Sequence, residues 1–189
     1  MINLRSKLAL FASSTLIACS LSQFAHAEMT ITSSDIKAGE HMPKAQEFQG
    51  FGCAGDNLSP QLSWSNAPKG TKSFAITAYD PDAPTGSGWW HWVLVNIPAS
   101  VNTLATGAGN PEKALLPEGS QTFRTDYGTK SFGGACPPEG DKAHRYQFKV
   151  FALNVEKLEL PEDGSAALVG YYLNSHAIET ATLEALYKR

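Results

Sequence analysis

A chain of 189 residues, 42% of them apolar, can build one domain with a sizeable core but falls short of two ordinary domains. Its formal charge is −3 and it has no run of Lys or Arg, so nucleic acid is not expected as a partner. Beyond the first thirty residues no stretch is apolar enough to span a bilayer.

At the N-terminus, Arg5 and Lys7 precede an uncharged run over 8–21, and Ala25-His26-Ala27 supplies a small-x-small cleavage site before Glu28. This pattern predicts a secretory signal peptide over 1–27, leaving a single domain over 28–189 in the periplasm or secreted. Both charges of the signal are basic, so its removal takes the formal charge from −3 to −5. An alternative is Leu16-Ile17-Ala18-Cys19, which resembles a lipobox and would make the protein a lipoprotein anchored through Cys19. The apolar run continues past Cys19, which favours soluble export. Export in turn makes a disulfide the default for Cys53 and Cys136, and neither has the CxxC or CxxH neighbour of a metal site.

Short runs rich in β-branched and aromatic residues predict strands over 31–33, 61–64, 73–79, 92–97 and 145–153. They are separated by turn clusters such as Asn66-Ala67-Pro68-Lys69-Gly70 and Pro137-Pro138-Glu139-Gly140. Only the segment from Ser165 on has helical spacing, with Ala167, Leu168, Tyr171, Tyr172 and Ala177 falling near three to four apart, after Pro161 and an acidic Glu162-Asp163 start. The alternation over 180–187 suggests a closing strand. Strands without intervening helices argue a mostly β, sandwich-like domain with a few peripheral helices, one near the C-terminus.

Two constellations carry chemistry. Asp80-Pro81-Asp82-Ala83-Pro84 lies at the exit of one predicted strand, and Trp89-Trp90-His91-Trp92 at the entry of the next. An Asp/His pair walled by indoles reads as a small polar pocket with an apolar rim. Further on, Gly133-Gly134-Ala135-Cys136-Pro137-Pro138 is followed by His144-Arg145-Tyr146. Glycines let backbone approach a ligand and present N–H groups to it, while two histidines beside them suit an oxyanion. Blander readings stand beside these. Asp80 and Asp82 are both able to cap their own turn, Asp82 more so. His91 is able to serve as a satisfied buried histidine, and at least one of the three tryptophans must face the core. Arg124 and Asp126 read as a structural ion pair or a loop anchor.

Taken together, DPDAP, WWHW, GGACPP with HRY, Phe51-Gly52-Cys53-Ala54-Gly55-Asp56-Asn57 and Phe123-Arg124-Thr125-Asp126-Tyr127-Gly128 resemble the phosphatidylethanolamine-binding protein family. They are most similar to its bacterial Raf kinase inhibitor-like (YbhB/YbcL) branch and its exported members. The resemblance implies an antiparallel β-sandwich with an anion pocket at one edge, lined by Asp80, His91, His144 and the 134–138 loop. The ligand-binding set is therefore expected to be Asp80, His91, His144, Gly134, Pro138 and Trp90. It also implies a phosphate, acetate or phospholipid head group as ligand, and in some members inhibition of a kinase or protease. For an exported chain such a target belongs to a host. A homodimer is a further partner to consider. The C-terminal segment that gates the pocket in animal members is not recognisable here, which leaves His176 without an assigned role.

A binding protein without a cofactor, a metal or catalytic residues is the leading expectation. A hydrolase using His91 or His144 as base is the main rival, but no Gly-x-Ser-x-Gly elbow marks a nucleophile. A zinc site of two His and one Asp fits no recognised spacing. An interaction protein with a vestigial pocket is the third reading.

Overall fold

The computed structural model describes residues 27–189. The signal-peptide reading over 1–26 and the lipobox Cys19 lie outside the described residues. In chain order the strands are β1 (Thr30–Thr32), β2 (Gln49–Gly50), β3 (Cys53–Ala54), β4 (Leu62–Ser65), β5 (Ser73–Asp80), β6 (Trp89–Pro98), β7 (Thr103–Leu104), β8 (Gln121–Thr122), β9 (His144–Leu153) and β10 (Ala177–Tyr187), with helix α1 (Ala166–His176) before the last. Among the described residues no helix is long and apolar enough to cross a membrane.

A five-stranded antiparallel sheet ordered β10-β9-β5-β6-β8 carries the fold, with a smaller β1-β4-β7 sheet and the β2-β3 hairpin beside it. The large sheet is covered on both faces. Phe74, Ile76, Ala78, Leu94, Phe148 and Val150 pack on one face with Leu62, Trp64 and Leu104 of the small sheet. On the other face Ala75, Val93, Val95 and Leu153 meet Leu158, Ala166, Val169 and Leu173. Double coverage explains why β5 and β6 read as nearly continuous apolar runs. Each fully buried aliphatic side chain contributes roughly 1.5–3 kcal/mol. The mostly β sandwich with one late helix is thus the observed architecture. Ser165 starts that helix as N-cap, accepting the Leu168 N–H, and Ala166, Val169 and Leu173 form its buried stripe.

Two bulges in β6 set which side chains face where. At the first, Ala78 pairs with Trp92 but Tyr79 with Trp90, so His91 is the extra residue. His91 and Trp92 consequently both turn toward the small sheet: Trp92 is fully buried in that core, and the His91 ring stands edge-on to Tyr146 at 5.1 Å. At the second, Asn96 takes a left-handed backbone (φ 60°) and its Oδ1 accepts the Leu158 N–H at 2.8 Å. Strand β6 also begins three residues earlier than expected, because Trp89 and Trp90 pair with Asp80 and Tyr79.

Candidate functional site

Residues two apart on a strand share a face. Asp80 at the end of β5, Trp89 and His91 on β6, and His144 and Tyr146 on β9 therefore gather at one end of the sheet, on its sandwich side. Together with Tyr127, Phe51, Cys136, Pro137 and Pro138 they line a cavity of about 170 Å³. That volume is well below the roughly 300–1,000 Å³ of drug-sized sites and suits a small ion or head group.

Asp80 is 2% exposed and fully engaged. Its Oδ2 lies 2.8 Å from His144 Nδ1, and its Oδ1 accepts the Asp82 N–H at 2.8 Å. The carboxylate therefore orients His144, whose Nε2 stands 3.5 Å from Asp141 Oδ2. Asp82 faces away and clamps the turn: Arg145 donates to it through Nε and a terminal nitrogen, each at 2.9 Å, and through its backbone N–H at 3.0 Å. The Arg145 fork beside Asp82 holds its carboxyl down to about 2. Of the two aspartates, Asp82 has the structural role.

His91 is 3% exposed, and its Nδ1 is 2.7 Å from the Gly133 carbonyl. A carbonyl only accepts, so Nδ1 carries the proton and Nε2 of the neutral ring is an acceptor. Burial pushes the His91 pKa below the usual histidine range, partly opposed by the Gly133 bond and the nearby Asp80 charge. Burial likewise pushes the Tyr146 and Tyr127 hydroxyls up, aided by Asp80, so both stay protonated donors. Tyr127 gives its proton to the Gly134 carbonyl at 2.8 Å. Tyr146 lies close enough to Asp80 for the carboxylate to hold its proton in place, yet its hydroxyl makes no hydrogen bond of ordinary geometry. Three lining residues are left with a buried polar atom that has no partner among the described residues: His91 Nε2, Trp89 Nε1 and Tyr146 OH.

The structure corrects two expected site residues. Gly134 does not line the cavity: its N–H donates to Asn57 Oδ1 at 2.7 Å, and a Cβ there would come within 2.3 Å of the Gln46 carbonyl. The neighbouring amides are occupied too, Gly133 by the His91 carbonyl and Ala135 by the Gln46 carbonyl. The glycines serve close backbone packing against the 46–48 segment and do not present donors to a ligand. Trp90 lies on the opposite face of the sheet, against Tyr79 and α1, because its strand parity differs from that of Trp89 and His91. Pro138 does line the pocket. Trp89, Tyr127, Tyr146 and Phe51 belong to the site but were not singled out, although each sits inside a quoted motif. Strand parity, with β6 starting at Trp89, was the signal for Trp89 and against Trp90.

Cys53 and Cys136 are joined, with Cα atoms 6.0 Å apart, tying the β2–β3 hairpin to the pocket rim. Arg189 braces the same rim, donating to the Pro137 carbonyl at 2.7 Å and the Gly52 carbonyl at 3.2 Å. His176 ends α1 near Asn154 Oδ1 and is not a lining residue. Asp126 anchors its loop by accepting the Trp90 N–H at 2.7 Å and forms no ion pair with Arg124 among the described residues. Asp80 and His144 are engaged with each other, and among the described residues no three His, Cys, Asp or Glu side chains converge as a metal-ligand set.

Residues 32–188 match the family described as Phosphatidylethanolamine-binding protein. The chain is 54% identical over 162 residues to the UPF0098 protein YbcL of Escherichia coli K12, covering 86% of this chain and 88% of that one. It is 45% identical over 159 residues to YbhB of the same organism, covering 84% and 99%. The crystal structure of E. coli YbcL, described as a new member of the mammalian PEBP family, superposes with a TM-score of 0.84 over 86% of this chain and 99% of that one, at 55% identity. A Chlamydia trachomatis homologue, CT736, superposes at 0.71 with 29% identity over 86% and 98%. The family match over most of the chain, the identity to YbcL and the superposition on its structure agree: the chain belongs to the phosphatidylethanolamine-binding protein family.

Proposed function

We propose that this chain is an exported binding protein whose pocket holds a small oxyanion or a phosphorylated head group and does not turn it over. The carrying observation is that His91, Trp89 and Tyr146, lining one small cavity, each leave a buried polar atom without a protein partner. A group left so costs about 1–3 kcal/mol, which a ligand with several oxygens offsets. Trp89 and Tyr146 donate over the whole accessible pH range. His91 Nε2 donates only once protonated, or accepts from an acidic hydroxyl of the ligand. Among the described residues no serine or free thiol lines the cavity, and the one aliphatic hydroxyl there, Thr85, is given to the Gly88 carbonyl, which favours binding over hydrolysis. The disulfide and the signal-like N-terminus support an oxidising, extracytoplasmic setting, where a kinase or protease target would be met outside the cell's own cytoplasm.

Either route to occupying His91 Nε2 takes up a proton when a fully ionised phosphate binds. Affinity for inorganic phosphate and phosphoethanolamine is therefore expected to rise by up to about tenfold per pH unit as pH falls toward the ligand's own second pKa, about 6 for a phosphomonoester, and to level off below it, where the free ligand already carries the proton. The stability linkage runs the other way. The folded His91 pKa lies below its unfolded value of about 6.5, so below that pH the unfolded chain binds more protons and the free protein loses stability. Bound phosphate should recover part of that loss. Titration calorimetry at pH 5.5, 6.5 and 7.5 tests both statements. His91→Gln should flatten the pH profile, and Trp89→Phe should weaken binding by about tenfold at every pH. Affinity independent of pH and unchanged in both variants would place the anion elsewhere; phosphoester turnover lost in His91→Gln would make the protein an enzyme.

A further inference from the structure

The displaced tryptophan lies in a second concavity. On the face of the large sheet opposite the histidine pocket, a groove of about 480 Å³ runs between the β5–β6 end and α1. Its walls include Tyr79, Trp90, Asp126, Gly170, Tyr171 and Asn174. Tyr79 and Trp90 stand with ring centroids 4.7 Å apart, and Tyr171 on α1 is 68% exposed. Asp126 uses Oδ2 to accept the Trp90 N–H, while its Oδ1 has no hydrogen-bond or ion-pair partner among the described residues. No Lys, Arg or His lines the groove.

Gly170 gives the independent observation. It sits mid-helix, where glycine is less favourable than alanine, without a left-handed backbone that would require it. A Cβ there would meet Trp90 Cη2 at 3.5 Å, an ordinary contact, so packing does not demand glycine either. What the missing Cβ leaves is room for about one methyl group beside the Cη2–Cζ2 edge of the indole.

We propose that this groove is a second binding site, for an organic cation of the alkylammonium class, held over the aromatic faces with Asp126 as its counter-charge. Aromatic rings attract a cation through their quadrupole, most strongly for tryptophan, and the groove adds a carboxylate with no competing positive side chain. A neutral ligand of the same shape gains only the apolar contact. This site is separate from the oxyanion pocket, and its test does not depend on that one.

The Trp90 indole N–H resonance reports binding directly in the intact mature protein. Choline is expected to shift it saturably, and the neutral isostere 3,3-dimethylbutan-1-ol to bind about fivefold more weakly or less. Nα-acetyl-lysine methylamide presents the same chemistry from a peptide. Binding of choline alone identifies a small-molecule source, and binding of the lysine amide, a protein or peptide source. Asp126→Asn keeps an acceptor for the Trp90 N–H but removes the charge, and should weaken the cation by about three- to fivefold. Gly170→Ala should raise the melting temperature while weakening the cation, separating fold from binding. Phosphate affinity should be unchanged in Gly170→Ala, whereas Asp126→Asn also removes one of the charges that favour protonated His91. Choline and its isostere titrating alike, neither cation shifting Trp90, or wild-type choline affinity in either variant overturns the proposal.

Discussion

Replacing both disulfide cysteines, Cys53→Ser with Cys136→Ser, should lower the unfolding free energy by about 4 kcal/mol. The bond spans 83 residues of sequence, and the chain-entropy treatment assigns roughly 4–5 kcal/mol to a loop of that length. Most of the effect acts on the unfolded chain, so the urea m-value should rise, because a chain without the cross-link exposes more surface on unfolding. The pocket floor should survive. The segment carrying Cys136 is also held by the Phe48 N–H on the Ala135 carbonyl at 2.9 Å, by the Ala135 N–H on the Gln46 carbonyl at 3.0 Å, and by Arg189. Phosphate affinity at 25 °C should therefore stay close to that of the parent. Urea titration with intact-mass analysis after alkylation checks the pairing: unreduced parent protein should take up no label. Two labelled thiols in the parent, or a stability loss below about 1 kcal/mol, would show that the bond does not hold this rim.

How far the sequence carries the fold depends on the range of the interactions involved. Strands β5 and β9 are visible because alternating or β-branched runs report a local backbone state, and α1 because three-to-four spacing is a local signal too, although Ala167, Leu168 and Tyr171 fall on its exposed side and the buried stripe is Ala166, Val169 and Leu173. The two-residue strands β2, β3, β7 and β8 have no local signature; they exist only because a distant partner is in register. The entry of α1 directly into β10 at Ala177 lacks the Gly or Pro that normally marks a helix end, so the last strand reads as starting late. At the candidate site, Asp80, His91, His144 and Pro138 are legible because each lies in a quoted motif, at a predicted strand end or in the loop beside it. Trp90 and Gly134 were misassigned for two different reasons. Parity is assignable only when the strand start is known, and β6 begins at Trp89 because Asp80 and Tyr79 supply its partners. A glycine-rich loop looks the same whether its bare backbone faces a ligand or another backbone, and here it faces the Gln46 carbonyl. The bulge that makes His91 and Trp92 neighbours on one side is likewise a property of pairing, invisible in either strand alone.

Asp80→Ala should cost about 3–5 kcal/mol, the range seen when one partner of a buried polar pair is removed and the other is left uncompensated. Two groups lose their acceptor at once, the Asp82 N–H and His144 Nδ1, and both lie where water does not readily replace it. Asp80→Asn should cost only about 1–2 kcal/mol. The amide oxygen can keep the Asp82 N–H, and its NH₂ can donate to His144 Nδ1 if that ring changes tautomer and turns an Nε2 proton toward Asp141, 3.5 Å away. The two variants thus separate loss of hydrogen bonds from loss of charge. The charge has its own readout, since Asp80 is one of the groups that favour the protonated form of His91 against burial. With the carboxylate neutralised, His91 should take its proton at still lower pH, and the onset of phosphate binding should move to more acidic pH in Asp80→Asn. Urea unfolding of the three proteins, together with phosphate titrations from pH 5 to 8, measures both effects. Equal stability losses for Ala and Asn would mean that the amide finds no partners and His144 is locked in one tautomer. An unchanged pH profile in Asp80→Asn would detach Asp80 from His91, and would leave it a purely structural support for the β9 end of the pocket.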